Sequence, residues 1–289
     1  MPELPEVETI VRNLRQGQAG APPLPGLRIE RVEVHWPRHI ATPSPDTFKR
    51  RIKRRQIEDV RRRGKYLVLP LDEGTLLIHL KMTGDLSVVP GKTPRGPYDH
   101  TVFHLERDWQ LRFSDARKFG KLYLVRQPDE VLGDLGPEPL TDSFTVRTLA
   151  DQLAPRSRAI KPLLLEQGFV AGIGNIYADE ALHRAGIHPL TPADGLGQAQ
   201  IKRLWRSIRR SLEEGIAMNG ASLDWVYRGG EYQNHFLVYG RQGEPCPTCG
   251  QPIARIVVAQ RGTHFCPLCQ PRGNHKGSKR TNSDAGNTK

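Results

Sequence analysis

The chain has 289 residues, with 43 lysines and arginines against 31 acidic residues and a formal net charge of +12 at pH 7. That length is enough for two domains, each with its own core. A positive charge of this size favours polyanionic partners, because lysine and arginine contacts to phosphates release condensed counterions. The sequence has no long apolar run and no lipidation signal, which argues against binding to or spanning a membrane.

The basic residues are clustered in two regions. Residues 49–65 hold ten basic and two acidic residues, and residues 241–289 hold eight against two. A charge run is often only a solvated face. For 49–55 alone, a solvated face and a binding role are equally well supported. Two separate basic regions favour a nucleic-acid partner.

The first half of the chain is predicted to be mostly β. A leading helix is indicated by an apolar stripe at helical spacing, with Pro5 tolerated in the first turn; the stripe is Leu4, Val7, Ile10, Val11 and Leu14. Short β-branched or aromatic runs then predict strands. They fall at 28–35, 65–71, 75–80, 101–106, 109–114 and 121–125.

A stretch rich in Gly, Pro and Asp, at 132–143, predicts a linker after an N-terminal domain at 1–131. Beyond it the pattern is helical, with helices expected near 144–153, 158–167, 175–185 and 197–215 in a domain at 144–235. Residues 236–270 follow as a small metal-binding unit. The tail at 271–289 is polar and basic, and we expect it to be disordered.

All four cysteines lie in two C-x-x-C turns, Cys246 with Cys249 and Cys266 with Cys269, separated by the sixteen residues 250–265. This spacing is typical of structural zinc, because each turn brings two thiolates to one tetrahedral ion. A pair of disulfides is the first alternative, but nothing in the sequence points to secretion. A redox C-x-x-C would need a βαβ context, whereas 251–265 reads as two short strands and a turn. Four thiolates leave no open position on the metal, so the zinc would be structural.

The amino terminus offers a nucleophile. The chain begins Met1-Pro2-Glu3, and a small second residue normally permits removal of the initiator methionine. Pro2 would then carry a secondary α-amine, and α-amines titrate near ~8, so part of it is neutral at physiological pH. Such an amine can attack a sugar C1′, expel the base and form an iminium, after which a carboxylate such as Glu3 can drive β-elimination. The alternative is a proline-rich cap for the first helix, and the segment PELPE alone favours it.

Seven segments, taken in order, resemble bacterial formamidopyrimidine-DNA glycosylases: MPELPEVETIVRNLR, RRRGKYLVL, HLKMTGDL, SDARKFG, LGPEPL, GIGNIYADEAL and YGRQGEPCPTCG with AQRGTHFCPLCQ. The resemblance implies an α+β fold with an N-terminal β-sandwich behind its leading helix. A helix-two-turn-helix domain and a four-cysteine zinc-finger hairpin would follow, with double-stranded DNA bound between the halves. The implied reaction is excision of oxidised purines followed by β- and δ-elimination, with one structural zinc and no nucleotide cofactor. A monomer in the bacterial cytoplasm, associated with the nucleoid, is expected.

The resemblance also implies catalytic roles for particular residues. Pro2 matches the Schiff-base nucleophile, Glu3 the proton donor and shuttle, and Glu6 a supporting carboxylate. Lys65 matches a lysine that reaches the damaged nucleotide's phosphates and assists elimination. Arg261, at the tip of the zinc hairpin, matches a contact to the phosphates beside the lesion.

The DNA contacts implied by the resemblance are His79, Met82, Tyr98, Arg117, Phe119, Arg156 and Asn175. Met82, Arg117 and Phe119 would form a wedge that fills the hole left by an extruded base and pairs with its orphaned partner. Without the resemblance, Met82 and Phe119 would read as core residues. Asn175 precedes an apolar-periodic run, where it can hold a phosphate at a helix N-terminus, act as a simple helix cap, or both.

The sequence departs from the family pattern at three places. Tyr98 stands where a histidine is common, Lys81 replaces a usual glycine, and the segment 223–234 is short and lacks a lysine near Asp224. An endonuclease VIII type, which prefers oxidised pyrimidines, is one alternative, although that type usually begins PEGPE and lacks the wedge. A non-catalytic zinc DNA-binding protein is the other, and the intact Pro2, Glu3 and Lys65 argue against it.

Overall fold

A computed structural model describes residues 1–18, 20–222 and 229–272. The tail that the sequence predicts to be disordered lies outside the described residues from position 273 onward. Residues 223–228, which belong to the short segment 223–234, also lie outside them. Within the described ranges no helix is long and apolar enough to cross a membrane.

The N-terminal half consists of nine strands and three helices among the described residues. In chain order they are α1 (Leu4–Gln16), β1 (Ile29–Val34), β2 (Ile40–Thr42), α2 (Pro45–Ile52), β3 (Arg61–Arg63), β4 (Tyr66–Pro70), β5 (Thr75–His79), β6 (Gly84–Pro90), β7 (Asp99–Leu105), β8 (Trp109–Asp115), β9 (Lys121–Val125) and α3 (Asp129–Leu132). All six predicted strands and the leading helix are present. Strands β2, β3 and β6 and helices α2 and α3 are additional.

These strands form two sheets packed face to face. One sheet has the order β1-β7-β8-β6 and the other β2-β9-β5-β4-β3. Neighbouring strands are antiparallel except for β2 and β9. Phe103 and Phe113 from the first sheet and Leu69 and Leu76 from the second are fully buried in one shared apolar core. The predicted β-sandwich is confirmed.

Helix α1 joins the two largest apolar cores among the described residues. At its N-terminus the Glu6 side chain accepts a hydrogen bond from the Glu3 backbone N–H. Val7 and Val11 pack in the sandwich core, whereas Leu4 packs in the core of the helical half. The first residues of the chain are therefore fixed where the two halves meet.

The second half is helical and ends in a hairpin. It contains α4 (Val146–Leu153), α5 (Ile160–Leu165), α6 (Asn175–Ala185), α7 (Gln198–Ala217), β10 (Ala254–Val258) and β11 (Arg261–Phe265). All four predicted helices are present, and α6 has the predicted bounds. The linker at 132–143 stays a prediction, and its first residue, Leu132, is the last residue of α3 and packs with Val68, Leu77 and Val125 of the sandwich half.

The arginines of the basic run are largely engaged within the protein. Arg62 and Arg63 form ion pairs with Glu138 of the segment between α3 and α4, and Arg62 also pairs with Glu8. Arg55 pairs with Glu73. The run at 49–65 is thus in large part an intramolecular network, so its charge is weaker support for nucleic-acid binding than the sequence suggested.

Candidate active site

The Glu3 carboxylate is buried at the N-terminus of α6. It accepts hydrogen bonds from the backbone N–H groups of Gly174 at 2.7 Å, Ile176 at 3.0 Å and Tyr177 at 3.5 Å. The first N–H groups of a helix have no partner within it and carry a partial positive charge, so they stabilise a carboxylate. The residue next to Pro2 is therefore held by backbone from the other half of the chain.

Gly174 is required by this close approach. A Cβ at position 174 would lie 2.3 Å from Glu3 Cδ and 2.5 Å from Glu3 Oε1. Real Cβ atoms do not come so near, hence only glycine lets the turn before α6 reach the carboxylate. This explains in physical terms the glycine-rich GIGN segment.

Glu6 ties together three segments. Its Oε2 accepts from the Glu3 backbone N–H at 2.8 Å, and its Oε1 accepts from the Tyr177 hydroxyl at 2.9 Å and the Ala221 N–H at 2.7 Å. Only 2% of Glu6 is exposed. These contacts fit the supporting role that the resemblance implied.

Lys65 lies in the same buried region, at the end of the β3–β4 turn. Its Nζ donates to the Ile173 carbonyl at 2.9 Å, and 5% of the residue is exposed. Burial lowers the pKa of the ammonium group, and the nearby carboxylates of Glu3 and Glu6 oppose that change. Repulsion from Arg261 lowers this pKa further, which places the hairpin's arginine within electrostatic range of Lys65.

Burial also raises the pKa of Glu3, against the opposing effects of Lys65 and of the Ile176 N–H. A raised pKa favours the protonated form that a proton donor needs, and the three N–H donors stabilise the carboxylate that remains once the proton has left. Pro2 is buried beside it while Met1 is exposed. Removal of Met1 would leave the Pro2 amine in this pocket.

His79 is held as a neutral ring with a defined tautomer. The Lys81 backbone N–H donates to His79 Nδ1 at 3.0 Å, so the proton of the neutral ring is on Nε2. Burial lowers the pKa of His79 to about 3, with help from the Lys81 and Lys65 cations. Lys81 itself has φ of 56°, the left-handed conformation that explains why a glycine is usual here.

The three residues that the resemblance predicts to form a wedge lie on two neighbouring turns. Met82 is 38% exposed on the β5–β6 turn, and Phe119 is 48% exposed on the β8–β9 turn. The Arg117 guanidinium lies 5.0 Å from the centroid of the Phe119 ring. Neither apolar side chain is a core residue, so the structure removes the alternative that the sequence left open for them.

Two of the expected DNA contacts, Tyr98 and Arg156, lie outside the Glu3 pocket. Tyr98 is 55% exposed beside the turn that precedes β7. The guanidinium of Arg156 lies 5.3 Å from the Phe169 ring centroid and donates to the Gln152 carbonyl, so its head is engaged within the protein. The structure does not bring Arg156 to the Glu3 pocket.

Asn175 is the first residue of α6 and not its cap. Gly174 occupies the cap position without a side-chain bond, and Glu3 takes the N–H groups that a capping side chain would use. Asn175 Nδ2 instead donates to the Gly262 carbonyl of the zinc hairpin at 3.0 Å. The simple-cap interpretation is wrong, because the carboxylate of Glu3 occupies that end of the helix.

A buried ion pair beneath the hairpin was missed by the sequence reasoning. Lys161 Nζ lies 2.6 Å from Asp179 Oδ1, with neither side chain exposed, and donates to the Thr263 hydroxyl at 2.7 Å. Asp179 also accepts from the His264 N–H at 2.8 Å. The signal was present in the sequence, since Lys161 lies in the otherwise apolar run IKPLLL and Asp179 follows Ile176, Tyr177 and Ala178. The pair anchors β11, which begins with Arg261, on α5 and α6.

The four cysteine sulfurs form one cluster, with all Sγ atoms within 4.8 Å of one another. Cys246 Sγ and Cys269 Sγ are 3.9 Å apart, and Cys249 Sγ and Cys266 Sγ 3.4 Å. A tetrahedral zinc with Zn–S bonds of about 2.3 Å needs sulfurs about 3.8 Å apart. The cluster fits one zinc ion, and the separations are far longer than a disulfide bond, so the disulfide alternative fails. The antiparallel hairpin of β10 and β11 is not the βαβ context that a redox C-x-x-C needs. With four thiolates the zinc is structural.

A β-sandwich and a helical domain that meet at a buried N-terminal carboxylate, with a zinc hairpin on the helical side, define a class of DNA glycosylase. Three family models match in order: formamidopyrimidine-DNA glycosylase N-terminal domain at 1–122, formamidopyrimidine-DNA glycosylase H2TH domain at 135–226, and zinc finger found in FPG and IleRS at 243–272. The chain belongs to the formamidopyrimidine-DNA glycosylase family.

Relatives match along nearly the whole chain. The formamidopyrimidine-DNA glycosylase of Chloroflexus aggregans is 49% identical over 278 residues, covering 93% of this chain and 98% of that protein. The Lactococcus lactis enzyme, solved with DNA containing Fapy-dG, has a TM-score of 0.86 and 38% identity, covering 93% of this chain and 100% of that chain. The wild-type Lactococcus lactis enzyme with DNA containing an oxidised pyrimidine has a TM-score of 0.86 and 37% identity, covering 94% of this chain and 100% of that chain.

Proposed function

We propose that this chain is a bifunctional DNA glycosylase and abasic-site lyase of base excision repair that removes oxidised purines, including 8-oxoguanine and formamidopyrimidines. The observation that carries the proposal is the position of Glu3. Its buried carboxylate sits beside Pro2 and accepts from three N–H groups around the start of α6. A buried carboxyl and a potential terminal amine side by side are what a Schiff-base mechanism needs.

The reaction begins when the Pro2 nitrogen, freed by loss of Met1, attacks C1′ of the damaged nucleotide. The N–C1′ bond forms as the glycosidic bond breaks, and the base leaves with a proton. Opening of the sugar gives an iminium between Pro2 and C1′, which acidifies the C2′ protons. Loss of a C2′ proton expels the 3′ phosphate, and a second elimination expels the 5′ phosphate. Water then hydrolyses the iminium and restores the amine.

Glu3 and Lys65 supply the proton transfers. A raised pKa lets Glu3 donate a proton during base loss and sugar opening, after which its carboxylate is stabilised by the α6 N–H groups. Lys65, buried and with a lowered pKa, is close enough to be influenced by both carboxylates. We assign it to the lesion's phosphates and to elimination, with Glu6 holding the Glu3 backbone in place.

The remaining residues are assigned to the DNA. Met82, Arg117 and Phe119 enter the duplex where the damaged base leaves it. Phosphates are bound by His79, Asn175 and Arg261, with Arg156 and Tyr98 as outer contacts. Chromosomal DNA is the substrate, so we also propose that the protein acts as a monomer in the cytoplasm, associated with the nucleoid.

The decisive test is single-turnover cleavage of duplexes carrying one lesion each: 8-oxoguanine, a formamidopyrimidine, an oxidised pyrimidine or an abasic site, opposite each of the four bases. The protein must lack Met1. We expect excision of both oxidised purines, with strand cleavage producing β- and δ-elimination ends. A matched control carries one extra residue before Pro2, which removes the secondary amine and leaves the fold intact.

Each outcome decides between the alternatives. Preference for the oxidised pyrimidine would favour an endonuclease VIII-like specificity, and a Lactococcus lactis relative has been solved with such DNA. Binding without cleavage of any duplex would favour a non-catalytic DNA-binding protein. Equal cleavage by the blocked control would remove Pro2 from the mechanism.

A further inference from the structure

The two turns that carry the wedge residues hold strained backbone. We call them the wedge turns: the 80–84 turn, which carries Met82, and the 117–120 turn, which carries Arg117 and Phe119. Each contains a lysine in the left-handed region, Lys81 with φ of 56° and Lys118 with φ of 61°. A side chain at such an angle is unfavourable, so contacts elsewhere must hold both turns in shape.

The carboxylate of Asp115 makes those contacts. Asp115 is the last residue of β8, and its side chain is 0% exposed. The Thr83 hydroxyl of the first turn donates to Asp115 Oδ1 in a short hydrogen bond. From the second turn, the Gly120 N–H donates to Oδ2 at 2.7 Å and the Arg117 N–H to Oδ1 at 3.2 Å.

The two turns also meet directly through the same group. The Arg117 N–H lies 3.1 Å from the Thr83 hydroxyl oxygen, which can accept from it while donating to Asp115. Asp115 thus bridges both turns with its side chain, and its own N–H donates to the Tyr98 carbonyl at 2.9 Å. A single buried residue fixes three segments of the expected DNA face.

An ionised aspartate suits this position because every described partner around it can donate. Burial raises the pKa of Asp115, but the His39 ring, whose Nε2 lies 3.6 Å from Oδ2, and the hydrogen bonds from Thr83 and Gly120 outweigh that and bring it to about 2. Gly120 must approach closely, since a Cβ there would lie 3.1 Å from Asp115 Oδ2 and 2.2 Å from the Phe113 ring. Asparagine has the same shape but would turn an NH2 group toward one of these donors.

We propose that Asp115 is a positioning residue that holds the two wedge turns as one unit, so that extrusion of a damaged base from a duplex depends on it. The proposal rests on the wedge role assigned under the proposed function. Fixing both turns before DNA arrives removes the entropy cost of ordering them during insertion. Asp115 acts through Met82, Arg117 and Phe119 and does not touch the reacting atoms.

The test compares two substrates that differ in the need for extrusion. In a duplex with 8-oxoguanine opposite cytosine, a stacked base must leave the helix, whereas an abasic site opposite cytosine offers none to extrude. Single-turnover rates are measured on both for the full chain lacking Met1. For Asp115→Asn we expect excision of 8-oxoguanine to fall about 30-fold, and cleavage at the abasic site to fall less than about threefold.

Two further variants separate positioning from folding. Thr83→Val keeps the shape of the side chain and removes only the bridging hydroxyl, so it should show the same split with a smaller loss. The double variant should be little worse than Asp115→Asn alone, since both changes break one network. Asp99→Asn is the matched control, because Asp99 is a buried carboxylate of the same sheet that accepts from Gly96 N–H at 2.8 Å and Arg112 Nη1 at 3.2 Å.

The outcomes separate the two proposals. The positioning role would be overturned if Asp115→Asn and Thr83→Val lost activity equally on both substrates. It would also be overturned if Asp99→Asn lost more activity on 8-oxoguanine than on the abasic site. If Asp115→Asn and Thr83→Val both excise 8-oxoguanine at the parent rate while Phe119→Ala impairs excision, the positioning role is overturned and the wedge assignment stands. If neither Phe119→Ala nor Met82→Ala affects excision, the wedge assignment under the proposed function fails first.

Discussion

Glu3 and Gly174 are 171 residues apart in the chain, yet the Gly174 N–H donates to Glu3 Oε2 over 2.7 Å. This bond crosses from the sandwich side of the molecule to the helical side. It depends on the absence of a side chain at Gly174, where a Cβ would collide with Glu3 Cδ. The carboxylate that we propose as the proton donor is therefore aligned by the half of the molecule opposite to the one that carries it.

Gly174→Ala should accordingly disable catalysis with little effect on DNA affinity. The methyl group must push Glu3 away from the α6 N–H groups, and a displacement of about 1 Å at a reacting group costs about 100-fold in rate. Gly197→Ala is the matched control, because Gly197 is also the N-cap of a helix and the nearest atom to its Cβ is 3.8 Å away. Single-turnover excision and binding titrations measure the two effects. Equal losses in both variants would contradict the alignment role.

The Pro2 amine should be trapped on DNA by borohydride, because reduction of the iminium leaves a stable covalent bond between protein and sugar. Mass spectrometry of the trapped complex should place the bond at Pro2 in chains that lack Met1. A preparation that retains Met1 serves as the control and should trap none. Efficient trapping by chains with Met1 in place would exclude Pro2 as the nucleophile.

Much of the fold could be predicted because local pattern and local structure agree. The bounds predicted for α6 were right, since Ala178, Ala181 and Leu182 repeat at helical spacing. Helix α2 was missed because its six polar or proline positions hide the two buried residues, Phe48 and Ile52. Strand β3 was missed because three consecutive arginines do not resemble a strand, and what makes them one is pairing with β4.

The site was predictable only in part, for a different reason. Residues such as Glu3 and Lys65 followed from the resemblance, but their partners are distant in sequence. The bond from Lys65 Nζ to the Ile173 carbonyl spans 108 residues. Likewise, nothing near Arg62 and Arg63 indicated that Glu138 would neutralise them. Local periodicity carries no information on such pairings, so they became visible only in the folded chain.

Removal of zinc should weaken DNA binding before it unfolds the sandwich. The parent protein should hold one zinc ion per chain by elemental analysis, because the four sulfurs form one cluster. Chelation should lower the affinity for DNA roughly tenfold or more, because Arg261 then loses its support. Amide exchange in β5 and β8 should stay slow, because the sandwich has its own core. Cys246→Ser should behave like the chelated protein. Active protein without zinc would contradict this prediction. So would a loss of DNA affinity that occurs together with a loss of slow amide exchange in the sandwich.

His79 should make the stability of the protein depend on pH. Its pKa falls from 6.5 to about 3 on folding, so at mildly acidic pH the unfolded chain binds a proton that the folded chain does not. The stability that this histidine contributes is complete above pH 6.5 and declines as the pH falls toward 3. Between pH values of about 7.5 and 5.5 the parent should lose about 1 kcal/mol more than His79→Gln in urea unfolding. His35→Gln, at a partly exposed histidine, is the control and should follow the parent; identical losses in all three proteins would exclude the effect.

Lys65→Ala and Arg261→Ala should separate chemistry from DNA affinity. Lys65 is buried with the carboxylates, so its loss should depress excision far more than duplex affinity, because one phosphate contact among many adds little to binding.

Arg261 is exposed at the start of β11, and its loss should weaken binding to all duplexes. It should also lower the slope of log K against log salt by roughly one unit, and impair δ-elimination. Arg255→Ala, on the paired strand β10, is the matched control for removing a hairpin charge. If Arg261→Ala keeps the parent's salt slope and its distribution of cleavage products, Arg261 is a solvated hairpin residue and its phosphate-binding role is excluded.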